Sequence, residues 1–225
     1  VVGDREQAGW RLELADGCRE LGLDLTDEQV EAFQIYRRMI RRWNRGADLV
    51  SPADLSRLTS RHFLDSLSLL RIMVPLPGAR VLDVGSGGGF PGLPVKICCP
   101  GIDLTLLEPR EKPWYFLRDA VASLSLETVT LLRERAQGLH PVHRSDDRFD
   151  LVLSRALAPL ERLIGICLPL VHPGGTLVAY KGRRAQEEMV AAREIIQRAG
   201  VQAFAVPVEV PGLSARRNLV LLHRP

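Results

Sequence analysis

A short apolar run, Val81-Leu82-Asp83-Val84, empties into Gly85-Ser86-Gly87-Gly88-Gly89-Phe90-Pro91-Gly92. A turn this poor in Cβ atoms takes positive φ and admits a ligand against its main chain. A strand that feeds such a turn is the opening of an open α/β sheet, which binds ligands at the carboxyl ends of its strands. The sequence downstream agrees. Strand-like runs recur at residues 103–108, 129–132, 149–153 and 175–180, with amphipathic stretches at 114–124 and 185–199 between them. That alternation predicts a parallel sheet covered by helices on both faces. Residues 204–210 and 218–223 are also strand-like, but only Pro211-Gly212-Leu213-Ser214 and their neighbours separate them. They read as a terminal antiparallel hairpin on the sheet edge. The expected fold is therefore α/β and Rossmann-like, with a mostly parallel seven-stranded sheet.

Residues 1–74 follow a different period. Thr26-Asp27-Glu28-Gln29 has the form of a capping box. Val30, Phe33, Tyr36, Ile40 and Trp43 then recur at three and four, one apolar helix face. Arginines 37, 38, 41, 42 and 45 fill much of the remainder, and a third helix is expected over 61–73. The chain thus divides into a helical extension (1–74) and a ligand-binding domain (75–225). Cys18, Cys98, Cys99 and Cys167 form no C-x-x-C pair, so thiols in a reducing compartment are expected and no metal site. No apolar stretch is long enough to span a bilayer, and the opening Val1-Val2-Gly3-Asp4-Arg5 has no export pattern. A cytoplasmic monomer is expected. The net charge of +3 does not by itself identify a nucleic-acid partner.

Gly87, Gly89 and Gly92 satisfy G-x-G-x-x-G, the dinucleotide pattern. Two residues argue against NAD. Pro91 removes an N–H where a phosphate-binding helix start offers donors, and Asp83 places a carboxylate near the pyrophosphate. A carboxylate suits a ligand carrying sulfonium and ammonium charges and no phosphate, which describes S-adenosylmethionine. Glu108, about twenty residues past the loop at the close of the second strand, is placed to accept ribose hydroxyls.

With the loop identified, further stretches become recognisable. Arg61-His62-Phe63-Leu64-Asp65-Ser66-Leu67, the glycine loop, Glu108 with Lys112, Ser154-Arg155-Ala156, Lys181-Gly182 and Arg217-Asn218-Leu219-Val220 together resemble the RsmG (GidB) family. That family methylates guanine N7 in small-subunit (16S) ribosomal RNA and has the class I methyltransferase fold. The resemblance implies that Gly85 and Phe90 touch the cofactor, that Glu108 holds its ribose, and that Ala136 and Gln137 lie along its adenine. Arg155 matches the family's cofactor-site arginine, at the catalytic mouth. Gln137 replaces a usual acidic residue, Asp48-Leu49-Val50 a common Asn-Leu-Thr, and Asn218 a common histidine.

The candidate cofactor residues are thus Asp83, Gly85, Gly87, Gly89, Phe90, Glu108, Ala136, Gln137 and Arg155, with Arg155 and Lys181 as catalytic candidates. RNA contacts are expected from the helical stripe Arg37, Arg41 and Arg45 and from His62, Lys181 and Arg217. The partner implied is 16S RNA or the 30S subunit. Guanine N7 attacks with an in-plane lone pair that carries no proton, so no general base is needed. Positioning and electrostatic fit then carry the rate. Three rivals remain: an NAD(P)-dependent oxidoreductase, a non-catalytic RNA-binding protein, and a methyltransferase for a small molecule or protein.

Overall fold

In a computed structural model of the chain, which describes residues 2–139 and 148–225, seven strands form one sheet. They are β1 (Arg80–Val84), β2 (Asp103–Leu107), β3 (Val129–Leu132), β4 (Phe149–Arg155), β5 (Val171–Lys181), β6 (Gln202–Val208) and β7 (Arg217–His223). Their order is β3-β2-β1-β4-β5-β7-β6. The first five pair in parallel, while β7 runs antiparallel to both β5 and β6. The hairpin thus lies at the edge, as its missing crossover helix requires. From β1 the chain winds outward through β2 to β3, then returns to the other side of β1 with β4. The carboxyl ends of β1 and β4 flank this reversal, where an open sheet leaves a crevice.

Two apolar clusters sandwich the sheet. Successive side chains of a strand face opposite sides, so Val81 joins one cluster and Leu82 and Val84 the other. The first cluster also contains Trp10, Leu14, Phe33, Tyr36 and Phe63. The N-terminal helices therefore share a core with the sheet across the boundary drawn at residue 74.

The helices are α1 (Val2–Glu20), α2 (Asp27–Ala47), the single turn α3 (Asp65–Leu67), α4 (Gly92–Cys98), α5 (Glu111–Ser123), α6 (Leu160–Cys167), α7 (Ala185–Ala191) and α8 (Arg193–Ala199). The capping box closes as expected: Gln29 N–H donates to Thr26 Oγ1 at 3.3 Å, and Thr26 N–H to Gln29 Oε1 at 2.9 Å. Gln29 Nε2 also donates to Ile97 O at 3.1 Å, which docks the start of α2 on the end of α4.

Two helical expectations change. The third helix is a composite: a π-turn at Thr59–Leu64, then α3, then a 3-10 turn at Ser68–Arg71. The widened turn lies where His62 and Asp65 enter the same cavity, and such turns recur at functional sites. The stretch 185–199 is broken at Ala192, between α7 and α8.

Candidate functional site

Gly85, Gly87 and Gly89 all have positive φ, at 75°, 54° and 87°. Gly89 is the most confined: a Cβ there would lie 2.5 Å from Leu93 Cδ1 and 2.6 Å from the Tyr36 hydroxyl oxygen. Glu108, only 2% exposed, anchors the loop to the end of β2. Its Oε2 accepts from Gly87 N–H at 2.8 Å, and its Oε1 from the Arg110 backbone and Nε, both at 2.9 Å. A carboxylate offers about four acceptor positions, so capacity for a further donor remains.

Asp83 lies beneath the loop, fully buried. Its Oδ2 accepts from Gly92 N–H at 3.0 Å, while Oδ1 has no partner. Burial pushes this carboxyl up to about 7, against the opposing hydrogen bond from Gly92 and the charge of Arg155. Phe90 is buried too, among the rings of His62 (4.7 Å), Tyr36 (5.5 Å) and Phe63 (6.0 Å). Ala136 is buried beyond β3, and Gln137 is exposed.

Beside the loop, at the carboxyl ends of β4 and β5, is a cavity of about 570 Å³. Leu157 forms part of its wall, and a Cβ on Gly85 would touch Leu157 Cδ1 at 3.0 Å. Loop and cavity are therefore separated by one side chain. Arg155, at the end of β4, is fixed on several sides. Its Nη1 donates to Asp65 Oδ2 at 3.0 Å and to Arg61 O at 3.1 Å, and the guanidinium stands 5.0 Å above the Phe90 ring. Its Nη2 lies 2.7 Å from His62 Nδ1. A guanidinium can only donate, so Nδ1 accepts and the imidazole proton sits on Nε2. Asp65, 3% exposed, uses its other oxygen to accept from Arg217 Nε at 3.0 Å. One carboxylate thus holds two arginines from β4 and β7.

The next residue, Ala156, has φ 57°, a left-handed conformation that costs a non-glycine residue roughly 1–2 kcal/mol. Strain of this kind persists where surrounding structure over-determines it, characteristically at functional sites. Lys181 supplies part of that restraint. Its Nζ donates to Ala158 O and pairs with Glu188 Oε2, both at 2.7 Å. The same Glu188 oxygen accepts from Leu160 N–H at 2.7 Å. The segment after β4 is therefore braced from β5 and α7.

A model of the rRNA small subunit methyltransferase G family (GidB) matches residues 29–220. The chain belongs to this methyltransferase family. Its relatives include the ribosomal RNA small subunit methyltransferase G of Roseiflexus castenholzii, 41% identical over 89% of this chain and 86% of that one. The enzyme of the same name from Chromobacterium violaceum is 36% identical over 92% of this chain and 95% of its own. Among solved structures, a SAM-dependent methyltransferase from Aquifex aeolicus superposes with a TM-score of 0.56 at 18% identity, covering 77% of this chain and 99% of that one. At that identity the likeness shows the fold alone.

Within this methyltransferase G fold most of the predicted site residues fall into three groups; Asp83 and Phe90 are buried, and Ala136 and Gln137 follow β3. Gly85, Gly87, Gly89 and Glu108 meet at the loop. Arg155, His62, Lys181 and Arg217 meet in the cavity, together with Asp65, Asp54 and Glu188. The stripe on α2 joins neither: Arg41 and Arg45 are exposed, Arg37 lies over the Trp10 ring at 5.2 Å, and none lines the cavity. Glu188 is not marked by the sequence, and Ala156 is marked there only as part of Ser154-Arg155-Ala156, with no role of its own. No local pattern gives either its role, since one is a backbone state and the other a partner from a different helix.

Burial, with the adjacent Arg155 charge, pulls the His62 pKa from its ordinary 6.5 to about 3. The folded state thus binds this proton less readily than the unfolded chain. His62 contributes stability that is complete above about pH 6.5 and lost as pH falls toward 3. Melting curves from pH 7 to 4 are expected to show the wild type losing more stability than His62→Gln. Parallel losses in the two proteins would contradict this. Asp83 has the opposite sign, which is why the difference between variants is the informative quantity.

Proposed function

We propose that the chain transfers a methyl group from S-adenosylmethionine to N7 of a guanine in 16S ribosomal RNA, acting in the cytoplasm as a monomer. The observation that carries this reading is the single shared wall, Leu157 against Gly85, between a glycine cradle and a cavity rich in arginine. The cradle fits S-adenosylmethionine. Its glycines leave main chain bare, Glu108 keeps acceptor capacity for ribose hydroxyls, and buried Asp83 keeps an unpartnered Oδ1 whose charge suits a cationic ligand. Ala136 and Gln137 flank the adenine side. S-adenosylmethionine supplies the methyl group on a positively charged sulfur.

The chain's own residues position the acceptor. No side chain need take a proton from N7, and His62, neutral with Nδ1 already accepting from Arg155, is not set up as a base. Arg155 is a fixed charge and not a free ligand for N7; its tethers keep it from blocking the attacking lone pair. Arg217 uses Nε on Asp65 and lines the cavity, where its guanidinium suits guanine O6 or a phosphate. Lys181 acts as a positioning residue through Ala158 and Glu188.

The test is transfer of labelled methyl from S-adenosylmethionine to 30S subunits and to naked 16S RNA from cells lacking this activity, mapped by cleavage specific for N7-methylguanine. One labelled guanine is expected. Label on another atom or on several bases would overturn the assignment, and cofactor binding without RNA labelling would point to a small acceptor.

A further inference from the structure

Arg217 lines two cavities at once. Beyond it, past the acceptor cavity, opens a groove of about 1230 Å³ bounded by the β6–β7 connection, the turn after β5 and the junction of α1 with the 3-10 turn at Ser68–Arg71. Asn218 Nδ2 donates to Gly182 O at 3.0 Å, so β7 and the β5 turn are tied where the two cavities meet. Arg71 Nη1 reaches Glu20 O at 3.3 Å across the far side.

Charge is concentrated here. Eight basic and five acidic side chains line the two cavities together, a surplus of three. The whole chain carries +3, so the remainder of the molecule is balanced and the excess sits at this mouth. The acidic residues of the inner cavity are already engaged: Asp65 by Arg155 and Arg217, Glu188 by Lys181, and Asp54 by Arg61 at 3.1 Å. Part of the surplus is carried by exposed arginines, Arg184 at the inner cavity and Arg183 and Arg216 in the groove, where four arginines face Glu20 and Glu209. No Phe, Tyr or Trp lines the groove, so it offers no stacking platform for bases. Cations without aromatics track a phosphate backbone without reading sequence.

We propose that this groove carries the backbone of a single RNA strand leading away from the target base, with Arg183 and Arg216 as its principal phosphate contacts. The inference rests on the function proposed above and adds to it a path for the substrate. A base must leave its stack to enter a cavity set behind Arg217, which favours a single strand over a duplex at the mouth. The α2 stripe contributes nothing to either cavity and is not part of this path.

The test is binding of a labelled single-stranded RNA of about fifteen nucleotides by fluorescence anisotropy, across salt from about 50 to 300 mM. The Arg183→Ala/Arg216→Ala protein is expected to bind roughly tenfold more weakly. Its plot of log affinity against log salt should be shallower by about 1.4, from about 0.7 per lost single-strand phosphate contact. Arg193→Ala, on the exposed face of α8, should leave both quantities unchanged. Unchanged affinity and slope in the double variant would overturn the proposal. So would an equal loss in Arg193→Ala, or a loss found instead in Arg41→Ala/Arg45→Ala. Duplex RNA bound as tightly and through the same arginines would overturn the single-strand assignment. If the wild type labels no 16S guanine but the double variant still loses RNA, the groove stands and the methyl acceptor falls.

Discussion

Asp65→Ala is expected to destabilise the protein by about 3–5 kcal/mol, the usual result of removing one member of a buried ion pair, and to lower methyl transfer at least a hundredfold. Asp65 is the one described side chain that joins Arg155 and Arg217, each at 3.0 Å. Side-chain exposures of 15% and 23% leave those guanidiniums little water to replace it. Without the carboxylate, the two cations lose their shared counter-charge, and neither is held against the acceptor. Asp65→Asn separates positioning from folding. It preserves shape, but one of its two polar atoms becomes a donor facing an arginine N–H. This variant should remain folded and bind S-adenosylmethionine normally while single-turnover transfer falls. Adding Arg217→Ala to Asp65→Ala should recover stability, because one uncompensated charge is gone. Wild-type turnover in Asp65→Asn would sink the idea.

This carboxylate also marks the limit of what the chain reveals before it folds. The glycine loop, the capping box at Thr26 and the terminal hairpin were legible because each is a local pattern, spanning a few residues at a period of two or of three to four. The Asp65 bridges span 90 residues to Arg155 and 152 to Arg217, and no spacing rule reaches that far. The composite helix at 59–71 keeps the apolar spacing of an α-helix in Phe63, Leu64, Leu67 and Leu70, so periodicity reads it as one. Only tertiary packing around His62 and Asp65 distinguishes the π-turn. Asp83 shows a subtler loss. A carboxylate beside the loop was readable, but Gly92 N–H captures it from nine residues ahead and holds it beneath the loop. Lys181 was expected at the RNA; it lines the cavity, and its pairing with Glu188, a side chain of α7, is another contact that no local spacing announces.

Gly89→Ala is expected to abolish binding of S-adenosylmethionine, measured by calorimetry, and to cost roughly 2–5 kcal/mol of stability. Two costs add. At φ 87° an L residue pays about 1–2 kcal/mol, and forcing a methyl group into filled space costs about 1–3 kcal/mol. Leu93 Cδ1, 2.5 Å from the new carbon, is the end of a flexible side chain and can turn away. The Tyr36 oxygen, at 2.6 Å, cannot: its ring is fully buried among Phe33, Phe63, Phe90 and Phe116, and its hydroxyl donates to Gly88 O. The loop must therefore yield, and Gly87 N–H is drawn from Glu108, the residue that ties the cradle to β2. Gly46→Ala is the matched control. Gly46 lies inside α2 with nothing within 4 Å of a new Cβ, and alanine there should add about 0.5–1 kcal/mol. Tyr36→Phe in the Gly89→Ala background removes the oxygen in the way and should restore part of the affinity. If Gly89→Ala alone bound the cofactor as the wild type does, the main chain of this loop would not be the surface that meets it, and the cradle would have to be sought beyond β3.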